Sequence, residues 1–393
     1  MGSLADSARD LRLLNGLKVV EVCQIAAGPF AGMLLADYGA EVIKIEPPEG
    51  DAMRQWPPLR EGLSENFASL NRGKSSVALD LKLTADRDRA RALMLEADVV
   101  LENSRPGVME RLGVGPQWAL AAKPSLVYCS ISAFGQAGPR AQEGGFDVTI
   151  QAAAGVMSVT GEPGGAPVKC GVPISDFAAG LYAAMTILAM VHRVRAGGPG
   201  GQIDVPMFGT TLAIAALQTS QYFGTGVDPV AFGSAHPRNA PYQAFKAKDG
   251  YFVLAAGNQR LWQQVCEMVG APELVSHPLY STTALRAQNQ RSLQQLLESY
   301  FTSQPSAHWL ARCRELGIPC SPIQSYSGAL ADPQALHYGL VRPLPMPGGA
   351  QSKTVGCPIW IDGHAVEVNA AIPPLSSVLP SLAFPALKGT DQE

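Results

Sequence analysis

At 393 residues the chain is too long for one average hydrophobic core, so two domains are expected. Apolar residues make up 47%, charged residues 16%, and the net charge is −3, an ordinary soluble globular composition. That balance offers no bulk electrostatic attraction to nucleic acid or to an anionic membrane surface.

The opening MGSLADSARDLR is charged almost at once, so no secretory signal is expected, and Asp6 breaks the myristoylation pattern. Leu17–Val22 reads as a strand, Ala27–Tyr38 as a helix opened by Gly28-Pro29, and Val42–Glu46 as a second strand. No GxGxxG follows the first strand, so nicotinamide binding gains little support, while the helix start suits an anion. Arg72, Lys74 and Lys82 surround a further short strand. A helix over Ala85–Glu96, a strand over Val99–Glu102, a helix holding Arg111 and a strand over Leu126–Ser132 follow. This alternation predicts an α/β fold with a doubly wound parallel sheet, whose ligands sit beyond the carboxyl ends of the strands. Ile25, Asn103 and Arg105, just after strands, are therefore candidates. The plainer alternative makes Arg72, Lys74, Arg105 and Arg111 solvated surface charges.

Residues 133–168 are Gly-rich and loop-like around a helical patch, Val148–Met157. The next stretch, VKCGVPISDFAAGLYAAMTILAMVHR, reads as a strand over Val172–Ile174, a junction at Ser175-Asp176 and a long apolar helix from Phe177. Asp176 is its only acid. It either caps the helix or is a reactive carboxylate held at the positive helix end. The most apolar run, 178–191, is shorter than a bilayer requires and reads as a core helix. A strand over Gln202–Val205 and a helix over Phe208–Gly224 complete the first domain. From Val227 the texture changes to a polar loop, GSAHPRNAPYQAF, then a strand over Tyr251–Ala256. Helices over Leu261–Val269, Ala287–Thr302 and Ser306–Leu316 make this a smaller α+β domain. The Pro-rich remainder, with a strand over Ile359–Ile361, is expected to return over the first domain. The expected boundaries are 1–226, 227–325 and 326–393. Seven scattered cysteines without CxxC, and no HxxxH pair, argue for free thiols in a reducing cytosol and against a metal site.

The ordered segments AAGPFAGMLLADYGAEVIKIEPPEGD, SLNRGKSSVALDLK, LENSRPGVMERLG, GGFDVTIQAAAGVMSVTG and GVPISDFAAGLYAA resemble the class III CoA-transferase family. That family includes formyl-CoA:oxalate and carnitine CoA-transferases, with α-methylacyl-CoA racemases as a sister branch. The resemblance, extended by AHPRNAPYQAF, implies a Rossmann-like large domain, a small domain and an interlocked homodimer. It implies CoA transfer from an acyl-CoA to a carboxylic acid, with the thioester as substrate and no permanently bound cofactor. The family's nucleophile falls on Asp176, and its CoA-lining positions fall on Ile25, Leu79, Lys82, Asn103, Arg111, Leu112 and Met207. Bases that some relatives use near the adenine and the phosphates fall on Pro47 and Gly144, for which Arg105 or Arg140 would compensate. A glycine run that covers the active acid in oxalate-using members is replaced by Gly233-Ser234-Ala235-His236, which argues against oxalate. The racemases carry a histidine directly before the aspartate of GGFDV, where this chain has Phe146 before Asp147. Racemisation needs two acid/base groups on opposite faces, so the transferase reading is preferred. Gly145, Gly161 and Gly171 are candidate oxyanion donors, and the helix dipole is expected to keep the Asp176 pKa low. His236 and Tyr242 suit a carboxylate, and AHPRNAPYQAF resembles members that pair succinyl-CoA with dicarboxylates. The remaining alternatives are a racemase-type isomerase and a CoA-binding protein without turnover.

Overall fold

The computed structural model describes residues 11–375. The described chain divides into two compact units. The large unit comprises 11–156, 170–224 and 333–375; the small one comprises 157–169 and 225–332. Residues 157–169, which the sequence places with the large domain, thus belong to the small unit.

The large unit holds six strands: β1 (Lys18–Val22), β2 (Glu41–Glu46), β3 (Lys74–Ala78), β4 (Val99–Glu102), β5 (Val127–Ser132) and β6 (Gly201–Pro206). All neighbouring pairs are parallel, in the order β3-β2-β1-β4-β5-β6. Alternating strand residues feed two separate cores. Val19, Val42, Val99 and Val127 join one with helix α1 (Ala27–Asp37), whereas Val20, Ile43, Val100 and Tyr128 join the other with α2 (Thr84–Glu96). Apolar residues on both faces of every central strand are what a parallel sheet covered by helices demands. The order reverses at β1/β4, where such sheets open a crevice at their carboxyl ends.

Three further helices matter for the site: α3 (Asp147–Ala153), α4 (Ile174–Arg195) and α5 (Met207–Ile214). At 22 residues α4 is long and apolar enough to cross a membrane by length and composition, yet it packs its small-residue face on the first core. A Cβ at Gly180 would stand 2.8 Å from the Ala27 carbonyl oxygen, so α1 and α4 meet at a separation only glycine permits. Phe30 and Phe177 close the same contact at 4.6 Å between rings.

In the small unit a hairpin of β7 (Tyr242–Ala247) and β8 (Gly250–Ala255) is extended by β9 (Cys320–Pro322). The loop expected through Phe245 gives way to strand from Tyr242: Phe245 and Ala247 point inward as a strand requires, but the buried Gln243 masks the alternation. Helices α6 (Gln259–Met268), α7 (Gln290–Phe301) and α8 (Ser306–Glu315) cover the sheet. Phe301 takes Phe245, Phe252 and Trp309 edge-on at 5.1–5.4 Å, the favoured geometry for aromatic pairs.

Candidate active site

A cavity of about 940 Å³ opens at the carboxyl ends of β1, β2, β4 and β5, wholly within the large unit. Gln24 and Ile25 follow β1, Glu46 and Pro47 end β2, Asn103 to Pro106 follow β4, and Ser132 and Ala133 follow β5. Leu79 and Lys82 enter after β3, and Met207 from the start of α5. The volume lies at the upper end of small-molecule sites and suits a nucleotide-sized ligand.

Asp176 is on the wall of this cavity. It lies in the first turn of α4 and does not cap it; the expected strand over Val172–Ile174 is absent, the helix starts at Ile174, and its N-cap is Pro173. The acceptor a cap would supply comes from Asp147, whose Oδ1 takes the Ser175 N–H at 3.0 Å. Its other oxygen accepts from Gln151 Nε2 at 2.7 Å, and Gln151 Oε1 accepts the Cys170 N–H at 2.8 Å. Asp147 is thus immobilised behind the nucleophile candidate while the Asp176 carboxyl faces the cavity. The Asp176 carboxyl departs from the low pKa that the helix dipole leads one to expect. Burial, joined by the charge of Asp147, pushes it up to about 7, because the loss of solvation outweighs the helix dipole.

The structure brings Ile25, Leu79, Lys82, Asn103, Leu112, Met207, Arg105, Phe146 and Asp176 to one cavity. Arg111 is exposed and does not line it, although Leu112 does. Asn103 clasps the backbone of Gln24, accepting its N–H at 2.9 Å and donating to its carbonyl at 2.8 Å. The guanidinium of Arg105 lies over Gly144, 2.7 Å from where a Cβ would stand, so it fills the space a longer residue there would take. Arg140 instead pairs with Glu143 at 2.7 Å on the surface, over the Phe134 ring. Of the three candidate oxyanion donors, Gly145 lines the cavity and Gly161 and Gly171 do not. A Cβ at Gly145 would meet Ala133 Cβ at 2.8 Å and Ile150 Cδ1 at 2.9 Å, which explains the glycine.

Arg72 and Lys74 are neither surface charges nor ligands. Arg72 forms a buried two-bond pair with Asp37 at 2.6 and 3.0 Å, and Lys74 stands 2.8 Å from Glu21. Burial brings the Lys74 ammonium down to about 8. In the small unit, His236 Nδ1 accepts the N–H groups of Arg238 and Asn239 at 3.2 and 3.1 Å, and its ring meets Tyr242 edge-on at 5.2 Å. Burial, with Arg238 nearby, lowers the imidazole pKa, so the neutral form presents Nε2–H as a donor. Gln24, Glu46 and the pair Lys44 and Asp51 are not singled out by the sequence: Gln24 and Glu46 sit at strand ends, but Lys44 lies inside β2 and Asp51 in the loop after it.

Residues 14–377 match the family model described as CoA-transferase family III. The chain is 36% identical over 362 residues to succinyl-CoA:glutarate CoA-transferase of Homo sapiens, covering 92% of this chain and 81% of that one. It is 36% identical over 352 residues to acetyl-CoA:oxalate CoA-transferase of Acetobacter aceti, covering 89% of each. A solved structure of a CAIB/BAIF family protein from Brucella suis superposes with a TM-score of 0.81 at 36% identity, over 92% of this chain and 96% of that one.

Proposed function

The chain belongs to CoA-transferase family III, and on that premise we propose that it moves coenzyme A from an acyl-CoA, succinyl-CoA foremost, to a small dicarboxylic acid through covalent intermediates on Asp176. The observation that carries this reading is the Asp176 carboxyl on the wall of a CoA-sized cavity, with its capping duty taken by Asp147. In the first step an Asp176 oxygen attacks the thioester carbonyl, the C–S bond breaks, and CoA leaves as thiolate with an acyl-aspartyl anhydride behind it. The thiolate then attacks the aspartyl carbonyl, releasing the donor acid and leaving an aspartyl-CoA thioester. The acceptor carboxylate attacks that thioester, forming a second anhydride and expelling thiolate. Attack of the thiolate on the acceptor's acyl carbon yields the new acyl-CoA and regenerates Asp176.

Each step passes through an oxyanion, for which the backbone at Gly145 is the donor candidate. Lys82 and Arg105 bring positive charge to the cavity for the phosphates of CoA, Arg105 standing in for a base at Gly144. The relatives' names favour dicarboxylates, although the acyl donor differs between them. The large unit exposes Leu181 and Met185 on α4 and Leu217 and Phe223 just beyond α5, and we read these as covered by a second copy in a homodimer.

The test is intact-protein mass spectrometry after mixing with succinyl-CoA, followed by hydroxylamine. A hydroxylamine-sensitive adduct on the peptide of Asp176, absent from Asp176→Ala, is expected, together with at least a thousandfold loss of transfer, the scale of losing a nucleophile. Deuterium exchange at the α-carbon without an adduct would favour the racemase. CoA binding with neither signal would leave a binding protein. An acceptor scan is expected to rank glutarate above oxalate.

A further inference from the structure

Ile25 has φ +68°, a left-handed conformation that is a true outlier for a β-branched residue. Such strain persists only where the surroundings over-determine it, and it concentrates at functional sites. The surroundings are on view. The Ile25 N–H is accepted by both Asp51 carboxylate oxygens at 3.2 and 3.3 Å. Asp51 is itself held by the Met53 N–H at 2.9 Å and by Lys44 Nζ at 3.0 Å. Lys44 spends its three donors on Asp51, on Glu21 at 3.0 Å and on the Cys23 carbonyl at 2.6 Å. Both Lys44 and Asp51 side chains are fully buried. Burying such charges contributes little stability compared with apolar packing, so their presence is better explained by the geometry they impose.

That geometry is the β1 lip of the cavity. Lys44 grips Cys23, Asn103 grips Gln24, and Asp51 grips Ile25, so three consecutive residues are each held by a side chain from β2, from the loop after β4 or from the loop after β2. We infer that Lys44 and Asp51 are positioning residues for acyl-CoA, their buried ion pair holding Ile25 in its left-handed turn and thereby shaping the wall against which the thioester is seated. The inference rests on the reading of this cavity as the CoA site.

The experiment uses the full chain and compares wild type, Asp51→Asn, Ile25→Gly and the double variant. Glycine adopts positive φ without strain and has no need of the clamp. Asp51→Asn is expected to raise the KM for acyl-CoA and the Kd of free CoA roughly tenfold, equivalent to about 1.4 kcal/mol, with kcat changed by less than about twofold. In the Ile25→Gly background the same substitution is expected to cost less than about threefold, a coupling that a purely structural role would not produce. Equal losses in both backgrounds, or a fall in Tm with unchanged Kd, would overturn the inference. Should Asp51→Asn fail to fold, Lys44→Arg keeps the buried charge but not the three-way reach, and the same comparison with Ile25→Gly decides the matter. A wild-type protein that binds no CoA would instead remove the reading of the cavity itself.

Discussion

At the scale of single residues, the role proposed for Asp176 requires an ionised acid in an environment that resists its ionisation. Burial and the neighbouring Asp147 push the Asp176 carboxyl up to about 7, so its ionisation is resisted near neutral pH. Since only the anion attacks, kcat/KM for acyl-CoA should fall as the pH drops through about 7 and level off above it. Asp147→Asn keeps an acceptor for the Ser175 N–H but removes the charge, and should move that acid limb down by roughly one pH unit. A pH–rate profile from 5 to 9 checks both; a limb unmoved by Asp147→Asn would mean that burial alone sets the value. Glu46 illustrates the opposite balance. Burial raises its carboxyl, but its bonds to Arg54 and Ser76 outweigh that and hold it below the usual range.

At the scale of elements, Asp176 is positioned by the approach of α1 and α4. Gly180→Ala would place a methyl 2.8 Å from the Ala27 carbonyl and 2.9 Å from Phe30, forcing the helices apart. A loss of about 1–3 kcal/mol in urea unfolding is expected, the usual cost of overpacking. Activity should fall with it, because α1 begins on the cavity wall and α4 carries Asp176. Most elements of the large unit were legible from their periodicity, within a residue or two. The start of α4 was not: Val172 and Ile174 suggest a strand by their β-branched side chains, and only the bond from Ser175 to Asp147, 28 residues away, explains why helix prevails. The strand β7 is illegible locally for a like reason, since a buried polar Gln243 interrupts the pattern and its pairing with β8 makes the strand.

At the scale of the whole molecule, the apolar side chains left outside on α4 and beyond α5 carry the prediction about assembly. Light scattering should give twice the 41.4 kDa chain mass. Phe223, 81% exposed, is a suitable probe: Phe223→Asp should shift the protein toward the monomer. A wild-type protein running as a monomer at micromolar concentration would sink the dimer reading. By itself the sequence determined the alternation of strands and helices and the apolar run behind Asp176, both written in local periodicity, while its ordered motifs carry the resemblance to the family. Only the tertiary structure decided which charges line the cavity and which are struts: Arg72, Lys74 and Lys44 look alike in sequence as bases in or beside strands. Their partners Asp37, Glu21 and Asp51 are distant or unremarkable in the chain. It likewise decided that Asp147 rather than Asp176 serves the helix terminus, and that burial and Asp147 raise the Asp176 carboxyl. Desolvation and like-charge proximity arise from what surrounds a group in space, and no local pattern of residue types contains them.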